Sequence, residues 1–280
     1  MRIINSAQIT KAVRKMCISA NCHLNSDIRN AIENALETEK SEVSKGILEK
    51  LLLNADIADK KEVPICQDTG MAVFFVEIGK EVFVEGDTIT DAINKGVSEG
   101  YTEGYLRKSV VGDPLERVNT NDNTPAVIYY DYTDGDKIRI TFAPKGFGSE
   151  NKGGVKMLNP SDGVDGVVDF VVETVKKAGA NPCPPMVIGV GIGGTMDKAA
   201  VLSKKALTRD ITQRNKNPYY GELEKTILEK VNRLGIGPQG MGGTTTALAV
   251  NIEEYPTHIA GLPVAVNINC HATRHAVEEI

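Results

Sequence analysis

The sequence lacks most of the features that would assign it to a class at once. No apolar run is long enough to span a bilayer, and no signal-peptide core follows the first basic residues. Basic residues are not in excess. With 32 Lys and Arg against 37 Asp and Glu, the formal charge is -5, so the electrostatic footprint of a nucleic-acid binder is missing. There is no Cys-x-x-Cys pair, which argues against a structural zinc site. Cysteines number five, and an odd count without a secretion signal argues against a disulfide framework. Internal repeats, low-complexity tracts and an evident interdomain linker are absent as well. The expected setting is a reducing cytosol, with neither membrane nor nucleic acid as a partner. The thiols are then core residues, nucleophiles or metal ligands.

What is present is an ordinary globular composition. The chain has 280 residues, 41% hydrophobic and 25% charged, enough for a substantial core. Arg2, Lys11, Arg14 and Lys15 precede the first acid, Asp27, which superficially resembles an organelle transit peptide. Ile9, Val13, Met16 and Cys17 fall at helical spacing, however, and predict an amphipathic first helix. Residues 7 to 60 read as helical, with Ser26 as a cap. The pattern then changes. "MAVFFVEIGKEVFVEG" reads as one strand or two with a turn at Gly79-Lys80, and Thr88 or Thr90 could cap the helix that follows. "PAVIYYDYTDGDKIRITFAPKGFG" predicts a hairpin about Thr133–Asp136. "MVIGVGIGGTMDKAAVLSKKAL" reads as buried strand, glycine loop and helix. The expectation is one mixed α/β domain over residues 1–280. Its helical N-terminal part covers about 1–62, and its α/β part, with mixed β-sheets flanked by helices, covers about 63–280.

Three stretches are candidates for chemistry. "PICQDTG" contains Asp-Thr-Gly, the tripeptide of aspartic proteases. That chemistry needs a second such loop, or a symmetric dimer, on a largely β fold; the chain has one loop and much helix. "GVGIGG" places Gly189, Gly191 and Gly194 in the dinucleotide fingerprint. No second strand ending in an acid follows, and "LTRDITQRNKNPYY" stands in its place. A tight strand-to-helix turn and an anion site at a helix N-terminus remain open there. "GPQGMGGTTT" is glycine-rich but lacks the Gly-Lys-Ser/Thr of a nucleotide P-loop. Among the cysteines, Cys66, Cys183 and Cys270 each lie at the end of an element beside polar residues. Cys17 and Cys22 lie on or near the first helix and read as buried thiols.

Together "PICQDTG", "GSENKGGVKML", "CPPMVIGVGIGGT", "RLGIGPQGMGGTTTALAV" and "NINCHATRHA" resemble the iron–sulfur hydro-lyases, the family of class I fumarases and L-tartrate dehydratases. The resemblance runs from about Leu51 to the end of the chain. It implies a [4Fe-4S] cluster held by Cys66, Cys183 and Cys270, with one iron lacking a protein ligand and therefore sensitive to oxygen. The implied reaction is the reversible hydration of fumarate to S-malate, a step of the tricarboxylic acid cycle; the alternatives are tartrate dehydration and a non-catalytic iron–sulfur subunit. The "GSENKGGVKML" and "NCHATRHA" stretches resemble the fumarase versions. By the same resemblance Gln67 and Asp68 face the substrate, and Asp68 is the acid–base candidate or orients a partner group. Arg107 pairs a substrate carboxylate, Gly148 offers a backbone N–H, and His258 reaches a carboxylate, in one reading from a neighbouring subunit. His271 and Arg274 support the cluster region, and Ser149, Glu150, Asn151 and Lys152 line a pocket or its frame. Single-chain fumarases continue beyond the third cysteine motif, so the resemblance is to an α subunit. A separate β subunit is the expected partner, in αβ pairs assembled into a higher oligomer, with a small dicarboxylate as substrate.

Overall fold

The computed structural model describes residues 1–280 throughout. In chain order the elements are β1 (Arg2–Asn5), α1 (Ser6–Cys22), α2 (Ser26–Thr38), α3 (Glu42–Lys61), β2 (Met71–Gly79), β3 (Val82–Glu85) and α4 (Ile89–Glu103). β4 (Val127–Thr133), β5 (Ile138–Lys145), α5 (Phe147–Glu150), β6 (Gly154–Leu158) and α6 (Gly163–Ala178) follow. The chain continues through β7 (Met186–Gly193), α7 (Met196–Ala206), α8 (Pro218–Asn232), β8 (Ala247–Tyr255), β9 (Leu262–Asn269) and β10 (Ala276–Glu279). This is the mixed α/β class, with a helical N-terminal segment, that the sequence predicts. No helix is long and apolar enough to cross a membrane. The chain divides into two compact units. The first comprises Met1–Leu24, Ala55–Phe147 and Arg274–Ile280; the second comprises Asn25–Asn54 and Gly148–Thr273.

In the first unit, α1 is amphipathic as its spacing predicts, with Ile9, Val13, Met16 and Cys17 at most 3% exposed. An Asn5 capping box starts it, and Thr88, whose hydroxyl accepts from the Asp91 N–H at 3.1 Å, caps α4. The main sheet runs β10-β5-β2-β4. β4 and β5 are therefore not a hairpin: β2 lies between them, parallel to β4 and antiparallel to β5. The reason is burial. Seven of the nine residues of β2 are buried, so this strand takes a partner on each side. The four residues after β4 bridge over its end. Gly79 N–H bonds to the Lys137 carbonyl at 2.8 Å and Glu81 N–H to that of Gly135 at 3.0 Å. A Cβ at Gly79 would sit 2.4 Å from the Gly135 carbonyl oxygen, so the bridge requires glycine. β3 turns away from β2 after Gly79-Lys80 and pairs in parallel with β1.

In the second unit, α2 begins at Ser26. Asn25 takes the N-cap position, without a side-chain cap bond, so the predicted Ser26 cap is displaced by one residue. The sheet runs β6-β9-β7-β8, with β8 parallel and β9 antiparallel to β7. Every residue of β7 is buried. Alternation splits its two faces: Ile188, Val190 and Ile192 join the apolar cluster shared with α6 and α8, while Gly189 and Gly191 face α7. The strand directions also sort the loops. The starts of β7 and β8 and the end of β9 share one end of the sheet; the ends of β7 and β8 and the start of β9 share the other.

Candidate functional site

The first unit carries Cys66, Gln67 and Asp68 on the loop between α3 and β2. Cys66 and Asp68 are partly exposed and Gln67 is exposed. The Ile65 N–H bonds to the Asn21 carbonyl at 2.9 Å. The Asp68 carboxylate is fixed at both oxygens, accepting from the Gly70 N–H at 3.0 Å and the Phe147 N–H at 2.9 Å. Behind it stand buried donors. The Tyr101 hydroxyl donates to the carbonyls of Thr69 at 2.9 Å and Gly70 at 3.1 Å. Burial pushes the Tyr101 hydroxyl well above its ordinary pKa, so it stays protonated. Asn123 Nδ2 donates to the Gly70 carbonyl at 3.2 Å. Arg274, 5% exposed, donates through Nη2 to the Asp68 carbonyl at 2.8 Å and through Nε to Asn21 Oδ1 at 3.1 Å. Gly70, with φ of 78°, then turns the chain into β2 at Met71. Arg107 lies beside this motif, its backbone held by the Thr69 hydroxyl. Its side chain is exposed.

The second unit gathers Cys183, Gln239, Cys270 and His271 at one end of its sheet. Cys183 is exposed and Cys270 half-buried. Two non-glycine residues here occupy the left-handed region, Cys183 and Gln239, each with φ of 52°; such strain collects at functional sites. The strain is held by specific bonds. The His271 N–H donates to the Cys183 carbonyl at 3.2 Å. The Gln239 main-chain N–H and Nε2 both donate to the Pro184 carbonyl at 2.8 Å. Gln239 Nε2 also stands 3.1 Å from His271 Nδ1. The adjoining Gly242–Thr245 loop is clamped by Glu39, which is 3% exposed. Its carboxylate accepts from the N–H groups of Lys40, Ser41, Thr244 and Thr245 at 2.8–3.1 Å. Burial works against the charge, but the N–H donors outweigh it and hold the carboxyl at about 2. Gly148 lies near Asn181: a Cβ there would find nothing closer than that residue's carbonyl at 3.9 Å, so its backbone is approachable. Glu150 accepts from Asn267 Nδ2 at 3.1 Å and pairs with Lys204.

His258 is not brought to this cluster. It precedes β9 and Cys270 follows it, so the eight residues of that strand separate them by roughly 25 Å. It shares the opposite end of the sheet with Gly194, Lys198 and Tyr255, in a cavity of about 420 Å³. The glycines of "GVGIGG" there serve packing. A Cβ at Gly189 would lie 2.1 Å from the Ser203 carbonyl oxygen, and one at Gly191 2.0 Å from that of Ala199, so α7 can rest on β7 only because both lack side chains.

The cysteines divide by burial, and Cys17 and Cys22 are buried as the sequence predicts. Cys17 and Cys22 are 0% and 1% exposed, and burial pushes both thiols up, which leaves them inert. Cys66, Cys183 and Cys270 are the accessible thiols. No three His, Cys, Asp or Glu side chains gather closely enough to hold a metal ion. Sequence reasoning missed Glu39, Tyr101 and Asn123, which sit in unremarkable helical or loop stretches. Gln239 lies within the glycine-rich "GPQGMGGTTT" stretch, whose pattern does not single out the glutamine.

Comparison with known proteins adds the family. The pattern described as Fumarate hydratase (Fumerase) matches residues 10–279. A protein of Methanocaldococcus jannaschii, provisionally named L(+)-tartrate dehydratase subunit alpha, is 44% identical over 279 residues, covering 98% of each chain. L(+)-tartrate dehydratase subunit alpha of Escherichia coli strain UTI89 is 35% identical over 271 residues, 95% of this chain and 89% of the relative. The corresponding protein of strain K12 is 34% identical over the same length. The chain belongs to the fumarate hydratase (fumerase) family of iron–sulfur hydro-lyases.

Proposed function

We propose that this chain is the α subunit of a hydro-lyase that removes water from a four-carbon hydroxydicarboxylate, with L-tartrate as its substrate and a separate β subunit completing the enzyme. The observation that carries the substrate is the near full-length likeness to proteins named as tartrate dehydratase α subunits. It displaces fumarate as first choice. The family description and the two fumarase-like stretches keep malate and fumarate as the second reading. Tartrate and malate differ by one hydroxyl, and both present two carboxylates to the same residues.

Cys66, Cys183 and Cys270 fit a [4Fe-4S] cluster by donor chemistry: they are the accessible thiols, each placed in a loop outside the helices and strands. The lack of a site for a single ion does not conflict with this, because cluster thiolates each bind a different iron. Bound there, a cluster supplies a Lewis acid for the leaving hydroxyl. The chain's own residues do the rest. Arg107 presents an exposed planar guanidinium suited to a carboxylate. Asp68, held at both oxygens, either takes the carbon proton or orients the group that does, and Gln67 stands exposed beside it. Gly148 offers an approachable N–H. His258, remote from Cys270 along β9, would serve a substrate held at another subunit's site.

Anaerobic co-expression with the β subunit, followed by assays on L-tartrate, malate and fumarate, tests the proposal. Turnover of L-tartrate at the highest kcat/KM supports it. Activity on malate and fumarate alone would overturn the substrate, and a colourless protein after anaerobic reconstitution would overturn the cluster.

A further inference from the structure

Thr69, the middle residue of Asp-Thr-Gly, is 1% exposed. Its hydroxyl does not serve its own loop. Oγ1 accepts from the Arg107 main-chain N–H at 2.9 Å and donates to the Arg107 carbonyl at 3.3 Å. A hydroxyl has one proton and two lone pairs, so both bonds coexist. One side chain thus satisfies both backbone groups of a residue 38 positions away, in a stretch that belongs to no helix or strand. The residues flanking Arg107 are pinned too. Leu106 N–H bonds to the Tyr101 carbonyl at 3.0 Å, and Ser109 N–H bonds to Asn123 Oδ1 at 2.8 Å. Tyr101 and Asn123 in turn hold Thr69 and Gly70. The backbone of Arg107 is therefore immobilised against Asp-Thr-Gly, while its guanidinium is exposed and makes no ion pair.

We propose that Thr69 is a positioning residue, whose hydroxyl sets where the Arg107 guanidinium stands relative to the Asp68 carboxylate. The consequence for substrate rests on the reading of Arg107 as the carboxylate partner. Binding geometry of this kind is sensitive to small displacements, because a bidentate guanidinium–carboxylate contact has a fixed fork. Threonine suits this position because its branched Cβ restricts χ1 and keeps the hydroxyl aimed. Valine has the same shape and neither bond.

The test uses the complex with its β subunit, loaded anaerobically, and compares Thr69→Val, Thr69→Ser and Arg107→Ala. Thr69→Val is expected to raise KM about tenfold, the equivalent of its two lost hydrogen bonds, with a smaller fall in kcat. Its visible iron–sulfur absorption should match the parent, and hydrogen exchange at the Arg107 amide should accelerate. Thr69→Ser, which keeps the hydroxyl, should recover most of the KM. Unchanged KM in Thr69→Val, with Arg107→Ala raising KM, overturns the positioning role alone. Unchanged KM in Arg107→Ala overturns the assignment of Arg107 in the proposed function. A slow Arg107 amide in Thr69→Val overturns the clamp itself, whatever the activity.

Discussion

The two units fix their motif loops by different chemistry. In the first, the Asp68–Gly70 stretch is strapped by buried neutral donors, Tyr101 and Asn123, and by one guanidinium, Arg274, all aimed at main-chain carbonyls. In the second, the Gly242–Thr245 loop is held by a buried carboxylate aimed at main-chain N–H groups, and the sheet beneath α7 is held by close glycine contacts. The contrast shows that the clamp on the second loop is itself a charge that acid can remove, whereas the buried donors strapping the first loop are not. It also teaches that the glycines of the two units' motifs are not interchangeable: some exist for turns, others for contact.

The contrast breaks most severely at Gly191. Alanine there would drive its Cβ to 2.0 Å from a backbone oxygen of α7, and overpacking against backbone costs about 3 kcal/mol. Thermal unfolding of Gly191→Ala should show a melting temperature many degrees below the parent, or no folded second unit. Next comes Glu39→Gln, which replaces a charged acceptor of four N–H groups; a loss of about 2 kcal/mol is expected by urea unfolding at neutral pH. Because the folded carboxyl lies at about 2 against an ordinary 4.5, the stabilisation is complete above about 4.5. It is lost as pH falls towards 2. The gap between parent and variant should close over that window; a gap independent of pH would refute the charged clamp.

Tyr101→Phe removes a donor from two carbonyls in the first unit, one of which keeps Asn123. About 1 kcal/mol is expected. That loss should be the same at pH 5 and pH 8, since the hydroxyl is protonated at both. The smallest effect belongs to Gly148→Ala. Its added Cβ meets nothing closer than 3.9 Å, so the melting temperature should stay within experimental error. A fall comparable to that of Gly191→Ala would show that the openness at Gly148 is not real.

Much of the fold was legible locally. Ile9, Val13, Met16 and Cys17 announced α1 by their spacing, and the run from Met186 to Gly193 announced a buried strand. The β4–β5 hairpin was misread for a physical reason. A short polar connection between two β-rich runs has the same local sequence whether it closes a hairpin or bridges over a third strand, and β2 entered from about sixty residues upstream. The cap of α2 fell one residue before Ser26, at Asn25, because the helix already begins at Ser26. At the site, local motifs marked Cys66, Asp68, Cys183 and Cys270. Tyr101, Asn123 and Glu39 carried no local mark, because a buried donor in one element is recognised only by the carbonyl or N–H it meets in another.

Short contiguous motifs were enough to specify the family, and local spacing was enough to mark Cys17 and Cys22 as buried. Tertiary structure alone decided the arrangement of those motifs. Strand direction in the second sheet sends Cys183 and Cys270 to one end and His258 to the other, and the Thr69 hydroxyl draws Arg107 beside Asp68 across a long intervening stretch of chain. Those outcomes depend on hydrogen bonds between distant segments, whose partners no local pattern specifies.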